Sequence, residues 1–227
     1  DDSNAPPPLT IKTNKPGKNP DGTHPFLSGE EAIKLMTVHK GMKVNLFASE
    51  EKFPRLIKPD QASVDADGKL WVAVWPSYPH WHPNEELKDA LLTLIDDDND
   101  GKADRCIVFA DKLHNPTGFE FWGGGVIVAS APDLLFLKDT DGDGIADVRI
   151  RILSGIDSAD THHTANSFVV GPDGGLYFQS GIFQVFGIES PTSKPFRHKG
   201  TGVYRFDPIT YETSFVYPIG PNPHGDV

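Results

Sequence analysis

Two segments of the chain, residues 96–104 and 139–147, repeat one spacing of carboxylates, Asp-x-Asp-x-Asp-Gly-x-Ala-Asp. In a tight loop, oxygens at alternate positions converge on one point, and the glycine permits the sharp turn that Ca²⁺ ligands require. A backbone carbonyl at the seventh position, Lys102 or Ile145, would add a further oxygen. The predicted Ca²⁺ ligands are Asp96, Asp98, Asp100, Lys102 and Asp104 in the first loop, and Asp139, Asp141, Asp143, Ile145 and Asp147 in the second.

These loops also have a simpler interpretation, because Asp and Gly favour ordinary turns. Against it, four carboxylates so close together repel one another unless a cation lies between them. Neither loop is an EF-hand, since the twelfth position, a bidentate Glu in EF-hands, is Ile107 in one and Ile150 in the other. Weak carboxylate sites fill where calcium is abundant, so we expect an exported protein, periplasmic or at the cell surface.

A third segment, ADTHHTANSFVVGPDGGLYFQSG at residues 159–181, carries two adjacent histidines. An imidazole is a competent general base near neutral pH, which makes His163 a candidate catalytic residue. Two other interpretations stay open. His162 and His163 are channel-lining residues bonded to backbone, or they join His224 in a transition-metal site.

Length and composition restrict the elements that position these residues. The chain has 227 residues, among them 22 Gly and 20 Pro, which favours many short strands over a helical bundle. A net charge of −11 argues against nucleic acid as a partner, because phosphate binding needs clustered Lys and Arg. A single cysteine, Cys106, excludes an internal disulfide.

Internal repeats predict the fold. The runs GKLWVA at 68–73, GVIVAS at 125–130 and GLYFQS at 175–180 recur, as do the two acidic loops. Repeats of about 40–55 residues, each with about four short strands, are typical of β-propeller blades. The predicted fold class is therefore all-β, a β-propeller of about three four-stranded blades preceded by a short N-terminal helix.

The predicted organisation has three parts. Residues 1–26 form a Pro-rich tether. Residues 27–57 hold a helix that starts at a capping box and runs to about residue 41, followed by a closing strand at 42–49. Residues 58–227 form a partial propeller, with blades at about 58–114, 115–156 and 157–220 and the start of a fourth.

Three blades do not close a ring, since propellers usually need four to eight. We therefore expect the remainder of the propeller to come from the same or another chain. The alternative is an open stack of sheets that a second chain closes.

The blade assignment separates the two groups of candidate residues. In a propeller, the connections between blades and the loops from second to third strand share one face, and the loops from third to fourth strand lie on the other. The histidines therefore share a face with Asn115, Asn222 and the aromatic run at residues 75–82, opposite the acidic loops. The aromatic run is either a sugar-stacking platform or a plug packed over its blade.

His163, followed eight residues later by GPDGGLYF, resembles the strand that carries the catalytic histidine in the soluble pyrroloquinoline-quinone-dependent glucose/sorbosone dehydrogenases. The runs LSGEEAIKLM, GMKVNLFASE, DADGKLWVAVWPSYP, DTDGDGIAD and DTHHT more closely resemble a related β-propeller family, the planctomycete-type membrane-bound dehydrogenases. Members of that family are often joined to a C-terminal cytochrome c domain. The resemblance covers roughly residues 27–227.

The resemblance implies quinone-dependent oxidation of a sugar or alcohol substrate, with His163 as the general base and a c-type cytochrome domain or protein as electron acceptor. It places Asn222 and His162 at the cofactor, pyrroloquinoline quinone. Two positions depart from the pattern: Pro221 stands where the sugar dehydrogenases carry Arg, and His162 where they carry Asp. The competing hypothesis is a non-catalytic, calcium-stabilised propeller that binds glycan or protein, because a fold alone does not determine function.

Overall fold

The computed structural model describes residues 27–79, 81–221 and 223. The predicted tether at 1–26 and most of the predicted start of a fourth blade lie outside this part. The chain divides into two units, residues 1–46 and 47–227. No helix in the described part is long and apolar enough to cross a membrane.

The first unit contains the predicted helix, α1 (Gly29–Lys34). Its capping box is present as the sequence predicts: the Ser28 hydroxyl accepts from the Glu31 backbone N–H, and the Glu31 carboxylate accepts from the Ser28 N–H at 2.9 Å. The helix is shorter than expected, since it ends at Lys34 and not near residue 41.

The predicted closing strand at 42–49 is wrong, because these residues, all of them described, form no strand. The carbonyl of Phe47 accepts one hydrogen bond, from the Ala103 N–H at 2.8 Å. Phe47 and Ala48 pack against the apolar cluster on the outer face of the first sheet. The period-two pattern that indicated a strand therefore reflects side-chain packing and not a hydrogen-bonded ladder.

The second unit is all-β and contains three consecutive four-stranded antiparallel sheets, as the propeller prediction requires. Their bounds agree with the predicted blades to within a few residues. The first sheet is β1 (Pro59–Val64), β2 (Leu70–Val74), β3 (Asp89–Ile95) and β4 (Arg105–Leu113). The second is β5 (Phe119–Trp122), β6 (Gly125–Ser130), β7 (Asp133–Lys138) and β8 (Val148–Ser154). The third is β9 (Asn166–Val170), β10 (Leu176–Ser180), β13 (Gly202–Phe206) and β14 (Thr213–Tyr217).

Consecutive sheets pack face to face. In β6, Val126 and Val128 belong to an apolar cluster shared with the first sheet, whereas Ile127 and Ala129 belong to one shared with the third. Alternation along a strand sends successive side chains to opposite faces. Both faces of the second sheet are consequently buried, which explains why β6 is apolar throughout and does not alternate with polar residues.

The third blade contains a hairpin that the sequence did not indicate, β11 (Val185–Ile188) and β12 (Phe196–Lys199). It is inserted between β10 and β13 and contacts the second blade. Ser154 and Glu189 exchange two backbone hydrogen bonds of 2.9 Å, and the Gly187 N–H donates to the Gly155 carbonyl at 2.8 Å. Gly155 has a φ of +97°, and a Cβ there would lie 1.8 Å from the Gly187 carbonyl oxygen, so this junction requires glycine.

Candidate functional site

The two histidines lie in a single 3₁₀ turn, Thr161–His163, between β8 and β9. Asp160 is the residue before the turn, and its carboxylate accepts from the His162 N–H at 3.3 Å. The turn is held to the end of β10, because the Gly181 N–H donates to the His163 carbonyl at 2.8 Å. A Cβ at Gly181 would lie 2.5 Å from the Cβ of His163, so only glycine allows this approach.

Asp160 and His163 form a carboxylate–imidazole pair. The distance from His163 Nδ1 to Asp160 Oδ2 is 3.0 Å, and the two side chains are 16% and 26% exposed. A carboxylate accepts hydrogen bonds, so it selects the tautomer with the proton on Nδ1. Within the described residues Nε2 of His163 has no hydrogen-bond partner. The ring is thus oriented with its basic nitrogen open.

The backbone that carries Asp160 is held by the segment after β10. The Gln184 side-chain amide donates to the Asp160 carbonyl. Three residues earlier, Asp157 accepts from the Val185 N–H at 2.7 Å, and its carbonyl accepts from the Thr164 hydroxyl at 2.6 Å. Two of these bonds attach the residues before the histidine turn to the segment after β10, and the third closes the loop from Thr164 back to Asp157.

His162 faces a different neighbour, the loop after β2 in the first blade. Its Nε2 forms a short hydrogen bond with the Tyr78 hydroxyl, and the two rings meet edge to face with centroids 4.9 Å apart. The Trp75 ring lies 5.0 Å from that of Tyr78. His162 is the more exposed histidine, with 58% of its side chain accessible. The aromatic run therefore contributes directly to the histidine cluster.

Asp89 connects the loops of the first two blades beneath this cluster. It is fully buried, and its carboxylate accepts from the Ser77 N–H and hydroxyl and from the Asn115 N–H, at 2.6–3.0 Å. The Asn115 side chain donates in turn to the Thr161 carbonyl at 3.1 Å. Loops from three blades consequently meet at the histidines, the arrangement that the blade assignment predicted for this face.

A second carboxylate near Trp75 is perturbed by its surroundings. Burial raises the pKa of Asp60, on β1, to about 7, and the neighbouring Trp75 side chain limits the rise. Desolvation penalises the charged form of an acid, so Asp60 changes its charge near neutral pH.

The two acidic loops have matching internal hydrogen bonds. In each, the first Asp accepts from the glycine N–H at position six at 2.8 Å, and the third and fifth accept from the N–H two residues on. The ninth Asp accepts from the second residue's N–H, at 2.8 Å in one loop and 3.0 Å in the other. The positive φ of Asn99 and Gly142, at position four, closes both turns.

Each loop brings together three of its four predicted carboxylates. Ligand oxygens within 4.8 Å of one another come from Asp96, Asp98 and Asp104 in the first loop, and from Asp139, Asp141 and Asp143 in the second. Asp100 and Asp147 are not in these groups. In the second loop both Asp147 oxygens are engaged by the Thr140 N–H and hydroxyl. Position seven, Lys102 or Ile145, uses its N–H to bond the fifth Asp.

Of the other predicted site residues, Asn222 and His224 lie outside the described residues. The structure therefore places His162 and His163 with Asp160 and Tyr78, and leaves the positions of Asn222 and His224 open.

Residues 28–222 match a family model described as a domain of unknown function, DUF7133. The match includes the histidine turn, both acidic loops and all three blades. The chain belongs to the DUF7133 family. No curated protein matches it in sequence.

Among solved structures, the DUF7133 chain is similar to a gluconolactonase from Xanthomonas campestris, XC5397, with 17% sequence identity and a TM-score of 0.42. The similarity covers 84% of this chain and 61% of the gluconolactonase, so the chain spans less than two thirds of that enzyme.

Sequence reasoning missed three residues of the DUF7133 site, namely Asp60, Asp89 and Gln184. Each acts on a segment distant in the chain; Asp89, for example, bonds Asn115 across 26 positions. No local pattern indicates such a contact. Only the blade assignment, which predicts which loops share a face, pointed to this region.

Proposed function

We propose that this chain is the base-carrying part of an exported, quinone-dependent oxidoreductase that acts on a sugar or alcohol hydroxyl. The observation that carries the proposal is the Asp160–His163 pair, oriented through Nδ1 and open at Nε2. The resemblance to the planctomycete-type membrane-bound dehydrogenases supports the same reading.

Oxidation of a hydroxyl to a carbonyl releases one proton and one hydride. In this proposal Nε2 of His163 takes the hydroxyl proton, and the Asp160 carboxylate stabilises the imidazolium that forms. The short Tyr78–His162 hydrogen bond beside the pair offers a second polar contact for a substrate hydroxyl. A quinone would accept the hydride.

The residues present fit the proton-transfer half of this reaction better than quinone binding. The carboxylates of pyrroloquinoline quinone are best bound by cationic side chains. Position 221 is proline, and its carbonyl accepts a hydrogen bond from the Ile182 N–H at 3.2 Å. The guanidinium expected from the resemblance is therefore missing at this position.

Calcium, export and partners complete the proposal. The matching loops support two structural Ca²⁺ sites, since each gathers three carboxylates around backbone N–H groups that fix their orientation. Such sites favour a calcium-rich periplasm or cell surface. A c-type cytochrome domain or protein would receive the electrons, and further blades from the same or another chain would complete the ring.

The proposal is tested on the full-length protein purified with Ca²⁺ and loaded with pyrroloquinoline quinone, by dye-linked oxidation of a panel of sugars and alcohols. His163→Ala should lower turnover by about 10²–10⁴, the usual loss for a general base. Asp160→Asn should lower turnover and shift its pH profile, because the orienting charge is lost. His39→Ala, a change in the first unit, is the control and should leave turnover unchanged.

Turnover that survives His163→Ala would contradict the role of His163. If the loaded protein oxidises no substrate of the panel, the dehydrogenase proposal fails. The alternative, a calcium-stabilised propeller that binds glycan or protein, then becomes the better account of the same face.

A further inference from the structure

A cleft of about 920 Å³ opens between the first and second blades, on the side of the acidic loops. Its two walls differ in character. The first blade contributes side chains of its strands and of the β1–β2 turn. The second contributes side chains of β5 and β6, the turn Gly123–Gly125, and aspartates and glycines of its acidic loop. Glycines supply no side chains to fill the space between the sheets, which explains why the cleft exists. Its volume lies at the upper end of the range of about 300–1,000 Å³ that is usual for small-molecule sites.

The floor of the cleft is aromatic. The Trp71 ring meets those of Phe109 and Phe121 edge to face, with centroids 4.6 and 5.5 Å apart. Phe121 is partly accessible, while Trp71 and Phe109 are buried behind it. This corner offers a ligand an apolar surface of fixed shape.

One polar group on the first-blade wall lacks a partner. Thr93 lies between Trp71 and Ile107 in the strand register and lines the cleft with only 4% of its surface exposed. Its hydroxyl makes no hydrogen bond to any described residue. A hydroxyl that lines the cleft without a protein partner is available to a ligand as both donor and acceptor.

Some of the charges around the cleft are paired, and the Asp139 and Asp143 carboxylates that also line it are among the proposed Ca²⁺ ligands. The Arg105 guanidinium donates two hydrogen bonds to the Asp97 carboxylate, at 2.6 and 2.7 Å. The Asp65 carboxylate accepts from two backbone N–H groups and from the Trp71 indole N–H at 2.8 Å. A charged ligand would have to break such pairs, whereas hydroxyl groups can bond to the remaining lone pairs of both carboxylates.

An apolar corner, an unpartnered hydroxyl and carboxylates along the rim together suit a ligand with an apolar face and many hydroxyls, because carboxylates accept hydrogen bonds from hydroxyl groups. We propose that this cleft binds a neutral polyhydroxylated ligand, a short segment of an oligosaccharide chain. The sugar ring packs its C–H face on Phe121, and its hydroxyls bond to Thr93 and to the carboxylates of Asp65 and Asp97. This site is separate from the histidine cluster and does not depend on the oxidation proposed there.

Isothermal titration of the full-length protein with cellotetraose, xylotetraose and mannotetraose tests the proposal. At least one of them should bind. Thr93→Val, which preserves shape and removes the hydroxyl, should weaken that binding about 3–10-fold. Phe121→Leu, which keeps an apolar side chain and removes the ring, should weaken it by a similar factor.

Two variants serve as controls. Thr213→Val makes the same change at a threonine of β14 that lies outside the cleft and has a buried, unpartnered hydroxyl, and it should leave binding unchanged. His163→Ala should also leave it unchanged, which separates this cleft from the proposed active site. The proposal is overturned if none of the three tetrasaccharides binds, or if Thr93→Val and Phe121→Leu bind as well as the wild type. A further outcome is that no tetrasaccharide binds, whereas phenethylammonium or phenylphosphonate binds and Thr93→Val weakens that binding. The cleft would then be a site for charged ligands, and the proposal would equally be overturned.

Discussion

Three carboxylates show how environment alone assigns different properties to one residue type. The N–H groups of Gly142 and Gly144 hold the pKa of Asp139 below its usual range, so it stays ionised and available to a cation. Asp160 is aligned by its turn and holds the His163 ring. Burial of Asp60 beside Trp75 raises its pKa to about 7, so this carboxyl is protonated well above the usual range of an aspartate. Asp60 therefore takes up a proton near neutral pH.

Asp60 should make stability fall as pH rises. Its folded pKa of about 7 lies above the unfolded value of about 3.9, so the native state binds more protons between these pH values. The loss of folding free energy caused by Asp60 is absent below pH 4, grows as pH rises to 7 and is complete above pH 7. Its upper limit is about 4 kcal/mol, and the partial exposure of the side chain makes the actual loss smaller. Asp60→Asn should therefore raise the melting temperature at pH 8 relative to the wild type and have little effect at pH 4. Asp67→Asn, at an exposed aspartate, is the control, and an equal effect of Asp60→Asn at both pH values would contradict the shift.

Each acidic loop does more than close a hairpin, because it also attaches its blade to the element before it. The N–H at position eight donates outward, from Ala103 to the Phe47 carbonyl and from Ala146 to the Phe109 carbonyl, both at 2.8 Å. Phe109 belongs to β4, so the second loop bonds the second blade to the first. Order within a loop is thereby coupled to the packing of neighbouring sheets, and an ion bound there would stabilise both.

Removal of calcium should lower the melting temperature. A ligand that binds only the folded state at 100 times its dissociation constant adds about 2.7 kcal/mol, which corresponds to about 5–10 °C per site for a domain of this size. Scanning calorimetry with excess Ca²⁺ and with excess chelator measures this difference. Asp139→Asn should remove about half of it and Asp67→Asn none. Identical curves with and without chelator would show that the loops are ordinary turns.

Among the elements, local sequence patterns predicted the strands of the blades but not the hairpin inserted into the third blade. β2, β6 and β10 each follow glycine and carry an apolar run, so the repeat predicted them closely. The hairpin β11–β12 was missed because its strands are short, and β12 carries Arg197 and Lys199 in place of an apolar pattern. The Asp160–His163 pair lies within one turn, but the bond between His162 and Tyr78 spans 84 positions and depends on how the blades pack.

At the scale of the second unit, the three blades form one cooperative body because their apolar clusters are shared. One cluster contains residues of the first and second sheets, and another contains residues of the second and third. Hydrogen bonds also cross between innermost strands. The Gln61 side chain on β1 pairs with the backbone of Phe119 on β5, accepting at 2.8 Å and donating at 3.1 Å. The Thr117 hydroxyl, just before β5, donates to the Ala165 carbonyl at 2.7 Å, ahead of β9.

Gln61→Leu should lower the stability of the whole propeller fragment and not of one blade. The substitution preserves bulk but leaves the N–H and C=O of Phe119 unpaired at a residue that is 1% exposed, and each unsatisfied group costs about 1–3 kcal/mol. Because the sheets share their clusters, the urea transition should stay single, with a lower midpoint and an unchanged slope, for an expected loss of about 2–4 kcal/mol. Gln61→Glu keeps the acceptor and loses the donor, so its midpoint should fall between those of the wild type and Gln61→Leu. Two separate transitions in the variant, or a slope that drops with the midpoint, would mean that the blades unfold independently and that the Gln61 bridge joins two bodies without coupling them.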